Sequence, residues 1–161
     1  MMNVSEYIRN DLRHKITLAH CSFALPYADS PLELLTDLSM QLNPTLGRIA
    51  VSLPVSPHEM VQYCAETHEI PQSVLNSISF GESKVISHMR NLFGEVDVHY
   101  FNNELIFLNL VDFKTIYSNS TYFDEPNADK IYERVKKDID NLGHLRLRKG
   151  AILIIGSDLL V

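Results

Sequence analysis

Two histidines lie in segments of the sequence that are predicted to be β-strands, and together they suggest acid/base chemistry. These residues are His20 and His99. An imidazole ionises near neutral pH, so two histidines facing one cleft could share the general acid and general base roles on a phosphoester. Ser22, Arg146 and Arg148 would then bind the phosphate. The alternative interpretation is two half-buried, hydrogen-bonded strand histidines without a catalytic role.

The first histidine segment resembles the motif of the two-histidine phosphoesterases, which reads His, apolar, Thr or Ser, apolar. Residues 20–23 are HCSF and fit this order. Residues 99–102 are HYFN and lack the Thr or Ser at the third position, whose hydroxyl would bind phosphate. His14 stands three residues before Thr17, where the family has a spacing of two. The resemblance covers only this short part of the chain. It implies an acid/base pair made by the histidines that open the two segments.

A basic run, residues 144–149, precedes the last predicted strand. His144, Arg146 and Arg148 alternate with leucines, and Lys149 follows them, so one face of a strand would carry the charges. Such a face could bind a phosphate, an acidic partner or RNA. It could equally protect the edge of a sheet from pairing with another chain.

An aromatic segment, residues 117–124, lies in what is predicted to be a polar loop over residues 114–125. Its aromatic side chains are Tyr117, Tyr122 and Phe123, interspersed with serine, threonine and asparagine. Tyrosine combined with small polar residues is typical of adaptable binding surfaces. We therefore expect these side chains to contribute to a binding surface, the alternative being aromatic rings packed beneath an ordinary loop.

No metal or cofactor is predicted. Cys64 and His68 share one helix face, but the sequence contains no CxxC or HExxH, and a zinc site needs three or four ligands. Cys64 and Cys21 are therefore expected to be buried free thiols, which favours a reducing compartment. Phosphate-binding and nucleophile motifs (the P-loop, GxGxxG and GxSxG) are also absent from the sequence.

Residues 57–80 have the outline of a helix–turn–helix. The second helix, over residues 72–80, contains no arginine or lysine, whereas a DNA reader needs donors for guanine and phosphate. The net charge of −6 also argues against a surface that neutralises phosphates. A nucleic-acid-binding regulator is therefore the second alternative, behind a purely structural helix pair.

The order of the predicted elements indicates an α/β to α+β fold in one domain over residues 1–161. A four- to six-stranded mixed sheet is expected, with helices packed on it, one of them over residues 3–13. Asn102-Asn103 predicts the turn of an antiparallel hairpin over about residues 95–113. Residues 151–161 are apolar at almost every position, which predicts a central strand. Serine–proline pairs at Ser30-Pro31 and Ser56-Pro57 predict helix starts.

These observations favour a small, soluble, cytoplasmic binding protein that acts by protein–protein contact, as an inhibitor, an immunity-type protein or an adaptor. Its acidity would suit a basic partner, and a homodimer is a candidate assembly. No signal peptide and no membrane span are expected, because no apolar run approaches the length of either. The phosphoester-processing enzyme built on His20 and His99 is the first alternative.

Overall fold

A four-stranded mixed sheet organises the protein, whose computed structural model describes residues 14–160. The strands are β1 (Leu18–Ser22), β2 (Arg48–His58), β3 (Phe93–Phe107) and β4 (Leu145–Leu159), in the order β1-β2-β4-β3. β1 runs parallel to β2, with Leu18 opposite Arg48 and Ser22 opposite Ser52. The remaining pairs are antiparallel, which confirms the predicted mixed sheet in an α/β fold.

The side chains of β2 and β4 explain why these two strands occupy the inner positions of the sheet. Along β2 the buried positions alternate through Ile49, Val51 and Leu53, while the intervening residues are half-buried. β4 has the same pattern around Ile152 and Ile154. A strand without a solvated face is stable only between two neighbours and under a covering layer. The predicted central position of the last strand is therefore confirmed.

The helices are short and follow the strands along the chain. They are α1 (Pro31–Ser39), α2 (Glu59–Ala65), α3 (Gln72–Phe80), α4 (Ile86–Leu92), α5 (Leu110–Ser118) and α6 (Ala128–Leu142), with a π-helical turn, Gly81–Val85, joining α3 to α4. One-turn 3-10 helices occur at Leu25–Tyr27 and Glu125–Asn127. Within residues 14–160, no helix has both the length and the apolar character needed to span a bilayer.

The helix starts were predicted with mixed success. Pro31 is the first residue of α1, directly after Ser30, as predicted. β2 instead continues through Ser56-Pro57, and α2 begins only at Glu59. The helix predicted over residues 3–13 lies outside the described residues.

Contacts divide the chain into two compact units. The first comprises Met1–Val55, Ser79–Phe101 and Ala151–Val161, and the second comprises Ser56–Ile78 and Asn102–Gly150. Each has its own hydrophobic core: Val51, Met89 and Ile152 are central to the first, and Phe113 and Ile131 to the second. The assignment of residues 1–161 to one domain stays a prediction.

The predicted hairpin at Asn102-Asn103 is wrong. β3 continues through both asparagines as one strand of 15 residues. Among the described residues, positive φ angles outside glycine occur at His14, Phe23 and Asp158, so neither asparagine adopts the conformation that such a turn requires. The chain returns to the sheet only after α5 and α6. α5 also replaces much of the predicted loop over residues 114–125, and the Asn109 side chain caps it by accepting from the Asp112 N–H at 3.0 Å.

Close packing at Gly156 leads to a prediction about stability. A Cβ atom at this position of β4 would lie 2.5 Å from the Phe93 ring and 2.7 Å from the Met89 methyl group, and both residues are buried. Gly156→Ala should therefore lower the free energy of unfolding by about 1–3 kcal/mol, as overpacked cores do. Urea denaturation measures this. Ser157→Ala, at the neighbouring half-buried position, is the control, and equal stability of the two variants would contradict the packing.

Candidate functional site

A cavity of about 380 Å³ lies in the first unit. Its walls are mainly apolar and carry a few hydroxyl and imidazole groups; the lining residues are His14, Thr36, Ser39, Met40, Pro44, Leu92, Leu159 and Leu160. The volume falls in the range of small-molecule sites, which are concave, mostly apolar and provided with few polar groups.

Three regular elements end at this cavity. The C-terminal half of α1 provides Thr36 and Ser39, α4 ends at Leu92, and β4 ends at Leu159. The Leu160 N–H donates to the Leu92 carbonyl at 2.9 Å, which fixes the end of β4 against the end of α4. These ends form a rigid wall because both elements belong to the hydrophobic core.

The remaining wall comes from the segments that precede β1 and β2. Ile16 forms a parallel bridge with Leu42, and the Asn43 N–H donates to the Ile16 carbonyl at 2.8 Å. The Asn43 side chain accepts from the N–H groups of Thr45 and Leu46, at 3.0 and 2.9 Å. Together these bonds hold the two segments side by side, so that His14 and Pro44 both reach the cavity.

The polar groups of the cavity are connected to the surrounding structure. Thr36 Oγ1 donates to the Leu32 carbonyl at 3.2 Å and lies 3.0 Å from His88 Nε2. Ser39 Oγ donates to the Thr36 carbonyl at 2.7 Å. His14 Nδ1 lies 3.2 Å from the Leu42 carbonyl oxygen. The site can thus hold a ligand with an apolar body and orient one polar group on it.

None of these lining residues was predicted as a site from the sequence. They come from segments far apart in the sequence, and local structure alone explains each segment: a helix face, a turn and the ends of two elements. The one available signal was the pair Thr36 and Ser39, hydroxyl residues within the otherwise leucine-rich α1. That signal is weak, because threonine and serine often occupy helices with their hydroxyl bonded to the preceding turn.

The predicted acid/base pair is not formed. His20 lies on β1 and His99 on β3, which are opposite edges of the sheet. Three strand spacings separate them, roughly 14 Å, which is too far to hold one phosphate. His20 Nε2 instead lies 3.2 Å from Ser52 Oγ, and Ser22 is the exposed last residue of β1. The order of the strands therefore does not bring His20 and His99 to one cleft, as the two-histidine interpretation requires.

The two arginines of the basic run form ion pairs with carboxylates, and both side chains remain about half exposed. Arg148 forms a two-atom contact with Glu59, with Nε and Nη2 at 2.6 and 2.5 Å from Oε1, and its backbone N–H donates to the other carboxylate oxygen at 2.7 Å. These bonds hold the pKa of the Glu59 carboxyl below its usual value. Arg146 lies 3.6 Å from Glu104, and Lys149 is half-buried. Since β4 is an inner strand, the alternative of a charged sheet edge is also wrong.

The aromatic segment contributes mainly to the core of the second unit. Tyr117 is fully buried at the end of α5, its ring 5.1 Å from Phe123 and 6.3 Å from Tyr122 between centroids. Its hydroxyl accepts from the Asp124 N–H at 3.1 Å. Tyr122 is half-buried and Phe123 is at the surface. The alternative interpretation, in which the rings pack beneath the chain, holds for Tyr117 and Tyr122.

The histidine and cysteine residues of α2 and its flanks have no metal-site geometry. Among residues 14–160, no cluster of three or more metal-ligating side chains occurs. Burial raises the pKa of the Cys64 thiol to about 12. His68 Nε2 lies 3.3 Å from the Tyr122 carbonyl oxygen. Residues 57–80 contain the two helices α2 and α3. Their side chains Val61, Cys64 and Val74 pack into the core of the second unit, as expected for a structural helix pair.

Comparison with known proteins gives a fold neighbour and no family. No family model and no curated protein matches the chain. Among solved structures, the chain is similar to a protein of Bacillus halodurans C-125 assigned provisionally as a methyltransferase, with a TM-score of 0.58 and 14% sequence identity. The match covers 98% of this chain and 70% of that one. At this identity the likeness concerns the fold.

This neighbour corrects the predicted function. The interpretation as an inhibitor, immunity-type or adaptor protein rested on small size, acidity and missing motifs, and it is contradicted by a neighbour assigned to an enzyme class rather than to adaptors. The cavity itself is assembled from segments that contain none of these short motifs.

Burial of His58 leads to a prediction about pH. His58 is 7% exposed, and Nδ1 has no hydrogen-bond partner among the described residues. Burial, followed by the nearby Lys149 charge, lowers the pKa of His58 from 6.5 to about 4. As the pH falls, the His58 imidazole is protonated in the unfolded chain before it is protonated in the folded protein. The free energy of unfolding should therefore decrease by about 1–3 kcal/mol between pH 6.5 and about 4.

His58→Phe should remove this component of the pH dependence, because an apolar ring takes up no proton. Urea denaturation of both proteins at pH 7, 5.5 and 4.5 measures the difference. His99→Gln, at an exposed position, is the control for the loss of one imidazole as such. The assignment to His58 would be wrong if His58→Phe kept the parental pH dependence.

Proposed function

We propose that the protein binds a small, mainly apolar ligand carrying one polar group in the cavity of the first unit. The single observation that carries this proposal is the 380 Å³ cavity, in which apolar walls surround the polar side chains of Thr36, Ser39 and His14. Sites of this composition obtain affinity from the apolar contact and orientation from the polar group.

Exposed apolar side chains at the cavity supply the driving force. Met40 is 58% exposed and Leu160 57% exposed, and both line the cavity. Removing apolar surface from water contributes about 25 cal/mol per Å², so a ligand that covers these side chains gains free energy from both partners. The residues around them are fixed by α1, α4 and β4, which limits the ordering cost of binding.

Methyl transfer is the second candidate function, favoured by the fold neighbour. The residues of this chain do not fit the usual nucleotide-type site of doubly wound sheets. Residues 23–30, which follow β1, contain no glycine for close backbone approach. The cavity includes residues that precede β1 and β2, whereas ligands of open α/β sheets bind beyond the carboxyl ends of the parallel strands. We therefore place ligand binding first.

A cytoplasmic setting and a homodimer are further proposals. Cys21 and Cys64 are both free thiols, which is typical of proteins in reducing compartments. Sedimentation velocity over a range of concentrations tests the dimer.

A tryptophan at the cavity mouth tests ligand binding directly. The sequence contains no tryptophan, so Leu160→Trp introduces a single indole, which can be excited separately from the tyrosines, at a lining position. Octan-1-ol should shift its emission to the blue in a saturable manner, because the probe displaces water from the indole. Leu108→Trp, at a position 68% exposed in the second unit, is the matched control and should not respond.

An unchanged Leu160→Trp emission, or equal changes in both variants, would contradict a ligand site at the cavity. Titration of the same two variants with S-adenosylmethionine tests the second candidate. A saturable response of Leu160→Trp to that compound alone would reverse the order of the two proposals.

A further inference from the structure

We infer that the ligand of the cavity presents a hydrogen-bond donor, such as a hydroxyl or an ammonium group, and not a carboxylate. This inference rests on the proposed ligand-binding function and deepens it. It follows from the direction of the hydrogen bonds that the lining side chains already make.

Thr36 has no proton to offer a ligand. Its hydroxyl carries one hydrogen, which is donated to the Leu32 carbonyl at 3.2 Å, and a carbonyl oxygen can only accept. The contact of 3.0 Å with His88 Nε2 either brings an imidazole N–H to Thr36 Oγ1 or takes up the same hydroxyl hydrogen, and in both cases no second hydrogen is available. One lone pair of the threonine oxygen remains for a ligand.

The Ser39 hydroxyl also donates its hydrogen within the helix. Its hydroxyl hydrogen is donated to the Thr36 carbonyl at 2.7 Å, the shorter of the two back-bonds in this helix. Ser39 lines the cavity, and with its hydrogen engaged its Oγ can act toward a ligand only as an acceptor. The side chain is 4% exposed, so its lone pairs have little access to water and gain from a ligand donor.

His14 adds a third acceptor. Its Nδ1 lies 3.2 Å from the Leu42 carbonyl oxygen, so Nδ1 carries the hydrogen and donates. In the neutral ring this leaves Nε2 with a lone pair. The polar side chains of the cavity therefore offer acceptors to a ligand, and a carboxylate, which only accepts when ionised, finds no matching donor among them.

Three eight-carbon probes with different polar ends test this inference: octan-1-ol, octylamine and octanoate. They are titrated into Leu160→Trp at one pH, at which octanoate is ionised and octylamine is protonated. The alcohol and the amine should bind saturably, and octanoate should bind at least tenfold more weakly, because its ionised end loses water without gaining a donor.

The outcomes separate the inference from the function on which it rests. Octanoate binding as tightly as the alcohol, or more tightly, would overturn the donor inference and leave the cavity as a ligand site. No saturable response to any of the three probes would overturn both.

Removal of one acceptor tests the mechanism of selection. Ser39→Ala in the Leu160→Trp background should weaken the binding of octan-1-ol and octylamine several-fold and leave the binding of octanoate nearly unchanged. The ratio of the alcohol and amine affinities to the octanoate affinity should therefore decrease. Ser118→Ala is the matched control, because Ser118 also donates to a carbonyl three residues earlier, at 3.4 Å on α5. Unchanged discrimination in a folded Ser39→Ala protein would overturn the role of Ser39.

A second pair of variants keeps the test decisive if Ser39→Ala fails to fold. Thr36→Val preserves the shape of the side chain and removes its acceptor, and should narrow the discrimination in the same direction. Thr115→Val is its control, since Thr115 Oγ1 donates to the carbonyl four residues earlier, at 3.0 Å, on an exposed face of the second unit. Thermal unfolding of each variant establishes that it is folded.

Discussion

The close approach of the helical segment Ser79–Leu92 to the sheet is the constraint on which the first unit depends. A Cβ atom at Gly81 would lie 3.1 Å from Ile152 and 3.2 Å from Leu53, and one at Gly156 would lie 2.7 Å from the methyl group of Met89 on α4. Side chains at these two positions would force the helix and the strands apart. Because protein interiors are close-packed, that separation would leave voids beneath the helix. The two glycines thus allow β2 and β4 to be covered tightly.

The same constraint positions the cavity. α4 ends at Leu92 and β4 ends beside it, joined by the bond from Leu160 to the Leu92 carbonyl. α1 closes the site from another direction, and its hydroxyls are bonded to its own carbonyls. A helix that uses its hydroxyl protons internally presents oxygen lone pairs outwards. The chemistry of the site therefore follows from ordinary helix geometry at a place where the core leaves space.

Local patterns in the sequence predicted what depends on local interactions. The nearly continuous apolar sequence of residues 151–161 identified β4 as an inner strand, and Ser30-Pro31 identified the start of α1. The hairpin predicted at Asn102-Asn103 was wrong because pairing along β3 outweighs the turn preference of two asparagines. His20 and His99 were both placed correctly on strands, yet the order of the strands, which no local pattern encodes, separates them.

The cavity could not be predicted, because its walls come from segments far apart in the sequence, and the direction of its hydrogen bonds appears only once the helix and its neighbours are in place. The most direct measurement of its role is methyl NMR of the unmodified protein titrated with octan-1-ol. The account predicts saturable chemical-shift changes concentrated on the methyl groups of Met40, Leu92, Leu159 and Leu160. Changes concentrated instead on the core of the second unit, or no saturable change, would contradict it.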